Sequence, residues 1–95
     1  MQIDYSLDAF TSLAELVNFI ERTNTLGAGL RWLSKYEKYL EKTFRAPHNF
    51  RLCHNQTFSN LHLNCIYFND WVIAFSIHEE SVLIEAILHK SRISD

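Results

Sequence analysis

The last apolar run of the chain, Val82 to Leu88, delivers three residues able to do chemistry: His89, Lys90 and Arg92. An imidazole beside two cations can exchange a proton, hold an anion or meet an acidic partner. His62 is a second candidate acid or base. With Asn64 it shares one face of an alternating segment, which fits a polar groove and a solvated edge equally well. A histidine at a strand end is as readily a plain surface residue, so the functional reading of His89 leans on context. Cys53-His54 is a close cysteine–histidine pair, but no second pair stands at ligand spacing, so neither a metal nor a bound cofactor is expected. Cys53 and Cys65 show no Cys-x-x-Cys spacing and are expected as two reduced thiols, Cys65 as a small core residue.

A second feature is a charge stripe. Between Arg22 and Arg51 there are seven basic residues against two acids, Glu37 and Glu41, although the whole chain carries a formal charge of −2. On a helix, Arg31, Lys35, Lys38, Lys42 and Arg45 fall at spacings of 4, 3, 4 and 3, which is one continuous face. That face is either solvated or a surface for an acidic partner.

The elements that must position these residues follow from the apolar pattern. Met1 to Tyr5 alternates and reads as a short strand. Ser6 can cap a helix with Asp8 in its first turn, and Ala9, Phe10, Leu13, Leu16, Val17 and Ile20 then recur at helical spacing to about Thr23. Thr25 can cap a second helix lined by Leu26, Leu30, Leu33, Tyr36, Leu40 and Phe44, running to about Arg45, where Ala46-Pro47 stops it. The short connection predicts an antiparallel helical hairpin, with Gly27 and Gly29 in the first turn of the second helix permitting close packing. A short strand around Phe50–His54 and a loop come next. Leu61 to Phe68 alternates, Asn69-Asp70 signals a turn, and Trp71, Ile73, Phe75 and Ile77 line one face of the next strand. After Glu79-Glu80, the last strand places Val82, Ile84, Ala86 and Leu88 on one face, with Leu83, Glu85, Ile87 and His89 on the other. Apolar residues on both faces predict a central position in the sheet. The fold class is α+β: a short N-terminal strand, an antiparallel helical hairpin, then a three- to four-stranded antiparallel meander.

Ninety-five residues, 47% of them hydrophobic, with two Gly and one Pro, predict one ordered domain over residues 1–95. The N-terminus lacks the basic and apolar regions of a signal peptide, and no run approaches the ~20 apolar residues of a membrane span. A cytoplasmic protein without membrane contact is expected.

Together, the N-terminal strand, the helix LDAFTSLAELVNFI, a second helix ending near a Pro and the ending ILHKSR resemble the RelE/ParE superfamily of toxins of type II toxin–antitoxin modules. The resemblance spans the whole chain and is most specific at Ile84–Arg92, which is similar to the I-x-x-I-L-H-x-x-R ending of the ParE branch. It implies a growth-inhibiting toxin, associated with plasmid stabilisation, neutralised by a cognate antitoxin. The ParE branch acts on DNA gyrase and the RelE branch cleaves messenger RNA on the ribosome. His89, Lys90 and Arg92 are then target-binding candidates, and Arg31, Lys35, Lys38 and Lys42 are antitoxin-binding candidates. Two positions depart from the ParE pattern. His62 stands where a Gly-Leu-Arg opening would put Arg, and Phe75 stands where Tyr is common. Three readings stay open: a toxin that acts by binding, a ribosome-dependent endoribonuclease using His89 or His62 with Arg92 or Lys90 near the phosphate, and an inactivated toxin that only binds antitoxin. A homodimer or a toxin–antitoxin hetero-oligomer is compatible with each.

Overall fold

The computed structural model describes residues 1–45 and 50–93. In chain order these form β1 (Gln2–Tyr5), α1 (Leu7–Thr23), α2 (Ala28–Thr43), α3 (Gln56–Asn60), β2 (Asn64–Phe68), β3 (Trp71–His78), β4 (Ser81–His89) and a 3-10 turn at Lys90–Arg92. The four strands make one sheet in the order β1-β4-β3-β2. The last three pair as an antiparallel meander, and β1 joins the edge parallel to β4. β4 is therefore central, as its two apolar faces predicted.

The helical hairpin forms for local reasons. Ser6 caps α1 by accepting the Ala9 N–H at 3.1 Å, and Asp8 sits in the first turn. The start of α2 is built differently from the expected Thr25 cap. Gly27 is the cap residue at φ +85, a conformation open to glycine. Glu21 reaches across from α1 and accepts the N–H groups of Gly27 and Gly29 at 2.7 and 2.9 Å. A Cβ at Gly29 would lie 2.6 Å from the Val17 carbonyl oxygen, so this glycine sets the closeness of the two helices. Phe44 donates its N–H to the Leu40 carbonyl at the end of α2; the Ala46-Pro47 stop lies outside the described residues.

Both helices cover one face of the sheet. Leu13, Tyr36, Leu40 and Phe44 pack there on Ile73, Phe75, Val82, Ile84 and Ile87. Phe44, Phe50 and Phe75 meet edge to face with centroids 4.9–5.4 Å apart. Phe10, Leu26 and Leu30, expected to line the core, are exposed instead, Leu26 by 92% and Leu30 by 70%. Leu26 precedes the Gly27 cap, outside the helix that would have turned it inward, and Leu30 sits to one side of the Tyr36–Leu40 stripe.

The middle of the chain departs most from expectation. The Phe50–His54 segment is no strand: it contributes a single bridge, Leu52 to Asn64. The following loop contains α3, capped by the Asn55 side chain on the Phe58 N–H. β2 begins at Asn64, so His62 lies in the preceding turn at φ 58 and shares no strand face with Asn64. This segment covers the second face of the sheet, where Cys53, Leu63, Cys65, Val72 and Ala74 form a smaller core with Phe58, Ala86 and Ile93. Cys53 and Cys65 are joined in a disulfide, with Cα atoms 4.9 Å apart, which overturns the expectation of two reduced thiols. The cause is the Leu52–Asn64 bridge and the Cys53 N–H bond to the Leu63 carbonyl, which bring the two segments side by side. Neither is visible in cysteine spacing.

β4 also breaks its own alternation. Phe75 pairs with Ile84 but Ala74 pairs with Ala86, leaving Glu85 as the extra residue of a β-bulge. Beyond it the faces exchange. Ile87 joins Val82 and Ile84 under the helices, while Ala86 turns to the disulfide side. A strict alternation had put Ala86 with Val82 and Ile87 opposite.

Candidate interaction site at the end of β4

The bulge carries His89 to the helix side of the sheet. Its ring meets Trp71 edge to face at 5.0 Å, and its Nδ1 accepts the Ser91 N–H at 3.1 Å with the Ser91 hydroxyl at 2.8 Å. These contacts make His89 the cap of the 3-10 turn and fix its orientation. Nε2 has no hydrogen-bond partner among the described residues. Lys90 and Arg92 follow on the turn, both exposed. They are not equivalent. Lys90 Nζ lies 3.0 Å from Asp70 Oδ1, and its backbone N–H bonds the Asp70 carbonyl at 2.8 Å. The Lys90 ammonium, by hydrogen bond and charge, holds the Asp70 carboxyl below its ordinary range. Lys90 therefore ties the end of β4 to the β2–β3 turn, and Arg92 remains the cation of this turn without an ion pair among the described residues.

An open groove of about 690 Å³ runs between α1 and this end of β4. Leu16, Phe19, Trp71 and Ile87 give it apolar walls, and Glu15, Arg22 and Arg92 carry its charge beside the His89 ring. The α1 residues missed in the sequence reading, Ser12, Glu15, Phe19 and Arg22, share one helix flank at spacings of three and four. That periodicity was the available signal. What hid it was the bulge, without which His89 would face the opposite side.

His62 is not part of this site. It precedes Asn64, which pairs with Phe75, whereas His89 pairs with Trp71 at the other end of the sheet. The two levels, Phe75 and Trp71, stand four strand residues or about 13 Å apart along β3, and His62 lies in the turn beyond Asn64. The basic stripe on α2 is a third place again. Lys35, Lys38 and Lys42 are exposed and make no ion pair among the described residues, while Arg31 donates to the Leu26 carbonyl and the Thr25 hydroxyl. Ser76 bonds both His78 Nε2 at 2.8 Å and Glu85 Oε2 at 3.3 Å. The serine stands between acid and imidazole, so the carboxylate does not orient the base as a nucleophilic triad requires. No group of His, Cys, Asp or Glu among the described residues could hold a metal ion.

Strand, helical hairpin and a β1-β4-β3-β2 sheet define a RelE/ParE-like fold. A family model described as the ParE toxin of the type II toxin–antitoxin system, parDE, matches residues 3–94, and the chain belongs to that family. Compared with curated proteins, the chain has no match. The family makes it the toxin of a toxin–antitoxin pair and implies an antitoxin partner. No helix among the described residues is long and apolar enough to cross a membrane.

Proposed function

We propose that this toxin inhibits growth by binding DNA gyrase through the end of β4, with His89 and Arg92 as contact residues and Lys90 holding the turn that presents them. It acts in the cytoplasm, where gyrase works, and an adjacent antitoxin neutralises it as a hetero-oligomer. The observation that carries the binding reading is the separation of His62 from His89. A ribonuclease needs an acid, a base and phosphate-holding cations around one bond. Here the second candidate imidazole lies away from His89, and one of the two cations of the turn is already engaged by Asp70. The groove that does gather Glu15, Arg22, His89 and Arg92 is walled by Leu16, Phe19, Trp71 and Ile87, which suits contact with a protein. The antitoxin, on this reading, lies over the outer face of the hairpin. Leu7, Phe10, Leu26 and Leu30 expose apolar surface there, and Lys35, Lys38 and Lys42 offer charge to acidic residues of the partner.

The test is viable count after controlled induction of the chain alone, with plasmid topology from the same cells. Loss of colonies with relaxed or linearised plasmid is expected, and deletion of residues 90–95 should restore growth. Killing with unaltered topology sinks the gyrase assignment, and killing by the truncated chain sinks the role of the tail. The purified toxin–antitoxin complex should weaken as salt rises, because the α2 charges are exposed.

A further inference from the structure

We propose that the second half of β4 is a strand-addition site for an extended, carboxylate-bearing segment of the protein that this toxin inhibits; the choice of that occupant rests on the reading that this end of the molecule meets the target. β1 is four residues long and pairs only with Ser81–Ile84. Ser6 finishes the contact, donating its N–H to the Ile84 carbonyl at 2.9 Å and its hydroxyl to the Glu85 carbonyl at 3.1 Å. From Ala86 onward β4 has β3 on one side and, among the described residues, no strand on the other.

The direction of the main chain there follows from the pairing. The Lys90 N–H bonds the Asp70 carbonyl, so Lys90 faces β3. Strand residues alternate, which turns His89 outward, Leu88 toward β3 and Ile87 outward. Ile87 and His89 thus direct their N–H and C=O groups to the open edge, and that edge borders the groove beneath α1. Unlike Lys90 or Leu88, these two residues need partners from elsewhere. A helix has its main-chain groups already paired, so an extended peptide is the occupant that can supply donors and acceptors at the strand repeat. Its side chains would alternate between the apolar wall of Leu16, Phe19 and Trp71 and the solvent. The rim carries the guanidinium groups of Arg22 and Arg92 against the single carboxylate of Glu15, which favours acidic residues in the added segment.

The test uses the full chain, ¹⁵N-labelled, titrated to millimolar concentration with an acetylated and amidated hexapeptide of alternating glutamate and valine. Expected are amide shifts centred on Ile87, His89 and Arg22, with slowed hydrogen exchange at Ile87 and His89. Methylating the peptide nitrogens on one edge should weaken binding about tenfold, since two main-chain bonds are lost. Arg22→Glu with Arg92→Glu should weaken it comparably, and both positions are exposed, so the fold is retained. Absence of binding, shifts centred on β2 or on the α2 stripe, or equal binding of the methylated peptide each overturns the proposal. The peptide carries no sequence of any target, so its failure leaves the toxin reading to the viability count.

Discussion

On the helix side of the sheet, Ile73, Phe75, Val82 and Ile84 are sealed by two long helices, α1 bringing Ala9 and Leu13 and α2 with its cap bringing Tyr36, Leu40 and Phe44. On the other side, Val72, Ala74 and Ala86 are covered by an irregular segment, a five-residue helix and Ile93, cross-linked by Cys53–Cys65. The side chains differ as much as the covers: rings and branched aliphatics on one face, and on the other alanines, a valine and sulfur beneath Leu63, Phe58 and Ile93. A thin cover removes little apolar area from water, so it cannot by itself offset the entropy of ordering its own backbone. A covalent link between its ends lowers that entropy in the unfolded chain. The first face is held by packing, the second by connectivity.

The largest effect should come from the packed face. Phe75 is fully buried between Phe44 and Phe50, and Phe75→Ala should cost about 3–5 kcal/mol by chemical denaturation. A loss below about 1 kcal/mol would mean that the rings repack and that the face is not held by their fit.

Opening the disulfide should cost less and act locally. Replacing both Cys53 and Cys65 by Ala removes a link between residues 12 apart, worth roughly 2–3 kcal/mol in chain entropy. Hydrogen exchange should quicken at Leu63 and Ile93 while the α1 and α2 amides keep their protection. Uniform quickening in both faces would show that the two do not differ in the way described. Because Ile93 directly follows the 3-10 turn, the same variant should also loosen Lys90–Arg92.

Gly29→Ala tests the hairpin itself. The added methyl would meet the Val17 carbonyl, so the helices must part, at a cost of about 1–3 kcal/mol despite the better helix propensity of alanine. An unchanged melting temperature would show that the hairpin yields there without strain.

What was legible in the sequence follows the same division. Period and capping residues gave α1 at its observed bounds, because an amphipathic helix declares itself within one segment. The central place of β4 and the turns at Asn69 and Glu79, both at positive φ, were legible for the same reason. The thin face was not. Its cover depends on a bridge between Leu52 and Asn64 and on a bond between two cysteines, which are contacts across segments without a local pattern. The site was half legible. His89, Lys90 and Arg92 stood out by type, but their common direction depends on Glu85 being a bulge residue, and nothing in VLIEAIL marks it. Nor could charge alone show that Lys90 is tied to Asp70.

The smallest effect expected is a pH dependence at the junction of α1 and α2. The N–H groups of Gly27 and Gly29, with a lesser contribution from the Arg31 charge, hold the Glu21 carboxyl below its ordinary value of 4.5. A carboxyl whose folded value lies below its unfolded one stabilises the fold fully above the unfolded value. That contribution is lost as pH falls through the folded one, when the carboxylate that receives both donors is protonated. Glu21→Gln keeps one acceptor oxygen and loses the charge. The melting-temperature gap between the parent and this variant should therefore be widest near neutrality and narrow as the solution is acidified below about pH 4.5. Asp70 titrates in the same direction, but it is present in both proteins and cancels from the difference. A gap that stays constant through the acid range would mean that Glu21 acts by packing against Gly29 and not by its charge.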